Sequence, residues 1–277
     1  MAPSSRQYPW LRQRDAEALA RGYSHGFRVI EVISILAFFG LLGCLCARIW
    51  HPAKSSPWLV LTAIAVGYVA ADFFSGLVHW MGDTWGSPDV PLVGAWVIRP
   101  FREHHVDQTA ITRHDFIETN GANCLISLPA AVGSLLIPVQ PGEEVGLFAA
   151  TLLGSLILWV FATNQFHKWA HLTNPPFFIA GLQRLHLILP PDHHATHHTA
   201  PFSRYYCITA GWLNWPLTKM RFFPALEQVI TSLTGALPRR DDIGETAARI
   251  VAEAEQAEAL RLTVPGSTAP DCATTRS

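Results

Sequence analysis

The chain has 277 residues, of which 49% are hydrophobic and only 15% charged, and its mean hydropathy is +0.21, a balance that argues against an ordinary soluble domain. A formal net charge of −1, with the lysines and arginines scattered between apolar stretches, excludes a basic nucleic-acid-binding face. Cys44, Cys46, Cys124, Cys207 and Cys272 form no CxxC pair, so neither a disulfide framework nor a zinc ribbon is implied.

The N-terminal arm, residues 1–28, carries several charges and no apolar core of the signal-peptide kind, so the first hydrophobic segment is expected to stay in the mature protein. That segment, Val29 to Ala47, is almost wholly apolar and approaches the roughly 20 residues that a helix needs to cross a bilayer. A second run starts after Pro57, from Trp58 through Ala71, and continues to His79, interrupted only by Asp72 and His79, which share a helical face. The third, Cys124 to Val139, is shorter and holds Pro129. The fourth, Leu147 to Ala162, continues into Asn164, Gln165, His167 and His171, and Pro141-Gly142 marks the turn between the last two.

Arginines precede the first run, and Arg99, Arg102 and Arg113 lie between the second and third, whereas the other two connections are poor in basic residues. The positive-inside rule then places both termini and the central connection in the cytoplasm. The membrane expected is a bacterial inner membrane before the endoplasmic reticulum. The expected fold is all-α: a polytopic membrane protein of about four transmembrane helices with a cytoplasmic histidine-rich cap. Residues 29–223 form its membrane-embedded domain. Residues 224–277 read as a solvated Ala/Glu-rich helix and a Pro/Ser/Thr-rich tail.

Eleven of the thirteen histidines fall between His79 and His198. Eight of them come as His104-His105, as the HxxxH pair His167 and His171, and as His193-His194-Ala-Thr-His197-His198. On a helix, residues i and i+4 are neighbours, so each grouping has metal-ligand spacing. His194, His197 and His198 are expected to turn toward one volume, on a helix that starts at Pro190-Pro191-Asp192 and stops at Pro201. A zinc site takes about four ligands, whereas at least eight imidazoles are available, which favours two ions. Imidazole alone leaves zinc, copper, nickel and iron open. Asp83, four residues after His79, and Asp72 are candidates for orienting a ligand ring.

The chain resembles the plasmanylethanolamine desaturases, plasmalogen-forming membrane enzymes within a wider group of histidine-motif lipid desaturases. The resemblance rests on Asp72-Phe-Phe-Ser-Gly-Leu-Val-His79-Trp, Arg99-Pro-Phe-Arg-Glu-His-His105, Ile111-Thr-Arg-His-Asp-Phe-Ile-Glu-Thr-Asn-Gly121, Phe166-His-Lys-Trp-Ala-His171, Leu189-Pro-Pro-Asp-His-His-Ala-Thr-His-His198 and Tyr206-Cys-Ile-Thr-Ala-Gly-Trp212. It implies eight metal ligands, His79, His104, His105, His167, His171, His194, His197 and His198, with His114, His186 and His193 as further ligands or pocket residues. It also implies a pair of iron ions, dioxygen as co-substrate, and oxidation of the alkyl ether chain of a plasmanyl phospholipid to a vinyl ether. With neither a GxGxxG loop nor an HPGG motif in the chain, the electrons are expected from an external carrier of cytochrome b5 or ferredoxin type. Arg99, Arg102 and Arg113 are candidates for the lipid phosphate. Three competing readings are an acyl-chain desaturase or hydroxylase, a zinc-dependent membrane lipid hydrolase, and a metal transporter or sensor.

Overall fold

The computed structural model describes residues 23–238, apart from positions 89, 92, 141, 200 and 201, together with a few isolated positions outside that range. The described residues are helical and contain no strand. Three helices are long and apolar enough to cross a membrane: α1 (His25–Ser55), α2 (Pro57–Thr84) and α6 (Glu144–Ala170). At 1.5 Å per residue, even the shortest of them exceeds the ~30 Å hydrocarbon layer.

Their outward faces carry Val29, Ile33, Leu36, Leu61 and Val66, all exposed, while Ser34, Ser75, Thr151, Ser155 and Thr163 are buried. That distribution suits a lipid surround, in which small and weakly polar residues draw helices together. At Gly67, for example, an added Cβ would stand 2.6 Å from Ser155 Oγ, whose hydroxyl donates to Ile64 O at 3.0 Å.

The run expected as a third span is a 21-residue helix, α5 (Phe116–Leu136). Asp115 caps it, accepting from the Ile117 and Glu118 amides at 3.0 Å. Its first two turns hold Glu118, Thr119, Asn120 and Asn123, which is why it falls short of the apolarity of the other three. α5 lies against α1 and α6, and α6 against α2. Asn164 Nδ2 donates to Thr119 O at 2.9 Å and Asn123 Nδ2 to Val160 O at 2.8 Å, which fixes the register of the antiparallel α5–α6 pair.

Between α2 and α5 the chain makes a π-helical turn, Gly94–Ile98, then α3 (Arg99–Val106) and α4 (Ala110–Arg113). After α6 come α7 (Phe177–Arg184), α8 (Pro191–His197), α9 (Asn214–Lys219) and α10 (Phe222–Thr234). The expected N-terminal arm and the Ala/Glu-rich helix and tail after residue 240 lie almost entirely outside the described residues.

Non-helical chain runs through the interior at Tyr206–Gly211, where every residue is buried. Backbone away from water must find partners within the protein, and this segment finds them on α2 and α9. Asp72 Oδ1 accepts from the Ala210 and Gly211 amides at 2.8 Å, and Oδ2 from Leu213 at 3.0 Å. Ser75 Oγ accepts from Ile208 N at 3.0 Å, and the Asn214 side chain pairs with both the amide and the carbonyl of Cys207. Gly76 admits the segment, since a Cβ there would lie 2.5 Å from Cys207 Sγ.

Candidate metal centre

Eight histidines from four parts of the chain converge in two adjoining groups. His104, His167, His171, His194 and His198 form one; His79, Asp83, His105 and His197 form the other. Helix geometry explains the partition. Consecutive helical residues point about 100° apart, whereas i and i+4 point the same way. On α3, His104 therefore faces the first group and His105 the second. At the end of α8, His194 and His198 face the first group and His197 the second, so the three rings expected in one volume divide between two. His167 on α6 and His171 at its C-cap form one i, i+4 pair, and His79 and Asp83 on α2 form another.

In the first group His167 Nε2 lies 2.9 Å from His104 Nε2 and 2.8 Å from His194 Nε2; His194 Nε2 is also 3.3 Å from His104 Nε2 and 2.9 Å from His198 Nε2. A ring nitrogen carries either one proton or one lone pair, so His194 Nε2 cannot hydrogen-bond to three neighbours at once. A shared cation satisfies them all. Ligands at 2.0–2.1 Å from an ion and at right angles are about 3 Å apart, which matches these separations.

The second group centres on Asp83. Its Oδ1 is 3.1 Å from His105 Nε2, and Oδ2 is 3.3 Å from both His79 Nε2 and His197 Nε2. Both carboxylate oxygens and His79 Nε2 are buried without a hydrogen-bond partner. Asp83 thus stands among the candidate ligands, not behind one. Ring orientation comes instead from the backbone: His79 Nδ1 donates to Tyr206 O at 3.1 Å and His197 Nδ1 to Arg204 O at 2.9 Å, which leaves each Nε2 with its lone pair directed inward. Asp72 acts one step further out, through the segment that presents Tyr206.

The electrostatics favour neutral, ligating imidazoles. Burial, reinforced by neighbouring rings, holds His104, His194 and His198 well below the usual histidine range and brings His171 down to about 4. The donor set, eight imidazoles and one carboxylate, fits iron and equally admits other imidazole-binding metals.

The remaining sequence candidates lie outside both groups. His114 is 3.6 Å from Glu118 Oε1, and His186 and His193 neighbour each other with ring centroids 5.4 Å apart. Arg102 is fully buried and donates to the carbonyls of Asp83, Trp85 and Gly86, so it fastens the end of α2. Arg99 pairs with Glu103 at 2.8 Å, and exposed Arg113 pairs with Asp107 at 2.5 Å. The carbonyl anchors at Tyr206 and Arg204 had no sequence signal, because backbone oxygens are the same for every residue type.

A cavity of about 100 Å³ adjoins the first group, with His104 and His167 in its wall. Val78, Val97, Phe101, Ile111 and Ile126 make it largely apolar, and Glu103, His114 and Glu118 supply charge and polarity.

A lipid desaturase domain matches residues 68–241, a range that holds all nine members of the two groups. The chain is 55% identical over 261 residues to the plasmanylethanolamine desaturase of Myxococcus xanthus, covering 94% of this chain and 89% of that one. It is 45% identical to plasmanylethanolamine desaturase 1 of Mus musculus, over 82% of this chain and 86% of the mouse protein. A chloroplastic relative of Arabidopsis thaliana, fatty acid desaturase 4, is 34% identical over 62% of this chain and 52% of its own length. No solved structure matches the chain. With the matched domain, these two long alignments and the paired histidine groups agreeing, the chain belongs to the plasmanylethanolamine desaturase family of lipid desaturases.

Proposed function

We propose that the protein is an O2-dependent desaturase that converts the alkyl ether chain of a plasmanyl phospholipid, plasmanylethanolamine above all, to the vinyl ether of a plasmalogen. One observation carries the reading: His104 and His167 belong at once to a five-imidazole group and to the wall of an apolar cavity, so a chain seated there abuts the metal ligands. In the proposed reaction the alkyl C1–C2 unit loses two hydrogens, and O2 takes these together with two electrons and two protons to leave as two waters.

Two iron ions, held by His104, His167, His171, His194 and His198 and by His79, Asp83, His105 and His197, would supply an oxidant able to attack unactivated C–H bonds. Zinc, without redox chemistry, would not. The residues supply placement and dryness. Phe101 packs close to α2 at Gly82, where a Cβ would meet its ring at 2.5 Å, and so closes the cavity on that side. Val78 and Ile126 line the cavity yet are 40% and 52% exposed, which leaves it open toward the surrounding lipid between α2 and α5. Exposed Arg113 is the best placed of the three arginines to meet a lipid phosphate. The electrons come from an external carrier of cytochrome b5 or ferredoxin type.

In this reading α5 is a fourth span, both termini and the metal centre are cytoplasmic, and residues 29–223 are the catalytic unit, preceded by an arm and followed by a helix and tail. The test is lipid mass spectrometry of cells expressing the protein and fed an alkyl ether lipid, together with metal analysis of the purified chain. Acid-labile vinyl ethers and iron are expected. Double bonds placed in acyl chains instead, or about one zinc per chain with lipid hydrolysis, would overturn it.

A further inference from the structure

The cavity beside the first histidine group has a polar end that the desaturation chemistry does not use. Two carboxylates line it, Glu103 and Glu118. Glu103 is engaged by Arg99 at 2.8 Å, and nearby Asp115 caps α5 and pairs with Arg28 at 2.7 Å. Glu118 differs. Its side chain is about four-fifths buried, and among the described residues its one ion-pair contact is His114 Nε2 at 3.6 Å. His114 brings no charge to it, because burial, with Arg99, Lys168 and Arg113 nearby, pushes that imidazole down to about 4. Among the described residues Glu118 lines the cavity without an ion pair to a lysine or arginine, Arg99 acting on its charge only from a distance.

Depth matters as much as charge. The Asn164–Thr119 bond sets the register of α5 on α6, so Glu118 lies level with the turn of α6 that ends in His167. His104, only 4% exposed and with Nδ1 free of any hydrogen-bond partner, lines the same cavity. Carboxylate and metal-group imidazoles therefore face one space at one height, while its apolar side leads out past Val78 and Ile126.

We propose that the cavity seats the headgroup end of a phospholipid and that Glu118 is the acceptor for a primary ammonium headgroup, the chain leaving between α2 and α5. The proposal rests on the lipid desaturase reading, in which the ethanolamine lipid is already the substrate, and adds the residue that selects its headgroup. A primary ammonium donates three hydrogen bonds to a carboxylate, whereas a trimethylammonium donates none and is held by cages of aromatic rings. Phe101 is the one aromatic ring, histidines aside, among the described lining residues, so no such cage is present. Anchoring the headgroup level with His167 also brings the first carbons of the chain to the metal side of the cavity, and leaves distant carbons out of reach.

The test measures binding without turnover. Purified protein in lipid nanodiscs, with no electron donor supplied, is offered alkyl ether phosphatidylethanolamine in competition with its mono-, di- and trimethylated headgroup analogues, and bound lipid is read by native mass spectrometry. Wild-type protein is expected to prefer the ethanolamine lipid, with the preference falling at each methylation. Loss of a charge-assisted hydrogen bond in Glu118→Gln should lower the ethanolamine-to-choline ratio about tenfold, mainly through weaker ethanolamine binding, and Glu118→Asp should keep part of it. Wild-type protein indifferent to methylation, or Glu118→Gln with the wild-type ratio or with both lipids weakened equally, would overturn the proposal. Selective binding by a wild-type protein that forms no vinyl ether would uphold this site while defeating the reaction assigned to it.

Discussion

Asp72 offers the sharpest test of how the fold supports the metal centre. Its carboxylate accepts three backbone N–H groups, from Ala210, Gly211 and Leu213, in the buried interior. Asp72→Ala removes all three bonds, and each buried donor left unmade costs ~1–3 kcal/mol, so with partial relaxation the loss should reach about 4 kcal/mol. Asp72→Asn keeps Oδ1 for Ala210 and Gly211 but turns an NH2 toward the Leu213 amide, for a loss of about 2 kcal/mol. The damage should spread to metal, because the same segment presents the Tyr206 carbonyl that holds His79. Thermal unfolding in detergent, with iron per chain measured alongside, should rank the proteins wild type, Asn, Ala. An Asp72→Ala protein that unfolds at the wild-type temperature and keeps all its iron would refute the reasoning.

On the proposed di-iron reading, Asp83→Asn removes the one carboxylate from the second group, so purified protein should lose about half its iron and all turnover while the first group stays loaded; metal analysis of the variant decides this. Gly76→Ala drives a methyl to within 2.5 Å of Cys207 Sγ and 3.1 Å of Cys207 N, and should destabilise by about 1–3 kcal/mol and weaken iron retention, read by thermal unfolding and metal content. Acid should destabilise the metal-free protein. The folded imidazoles of His114 and His171 titrate near 4 and unfolded ones near 6.5, so between those values the unfolded chain binds more protons. Stability should be level above about pH 6.5 and fall as pH drops toward 4, as denaturant titrations across that range would register.

Much of this was legible in the residues. The histidine spacings pointed to metal, and the eight rings they singled out gather in two adjoining groups. What the spacing hid was the partition. Adjacent histidines on a helix diverge by about 100°, so His104-His105 and His197-His198 are each split between the groups; the helix at α8 was expected, but the i, i+3 and i, i+4 relations drew His194, His197 and His198 into one volume, and no pattern marked α3 as helical. Asp83 looked like a partner for a ligand ring and lies among the candidate ligands, since i, i+4 spacing from His79 fits either role. Arg102 looked like a phosphate contact because arginine suits phosphate; its burial against three carbonyls depends on where the chain turns after α2, which no local pattern encodes. The segment Tyr206–Gly211 showed no helical or strand periodicity, and its value lies in its partners, all of them distant in sequence or donated by a turn that follows.

That segment also dictates an order of assembly. During synthesis α1, α2, α5 and α6 leave the ribosome first, yet His194, His197, His198 and the Tyr206 carbonyl all come from chain made later. A nascent protein halted after α6 holds fragments of both groups and completes neither. A metal shared within either group would therefore have to wait until the last stretch has packed back against the helices, and its retention would report that the molecule has closed.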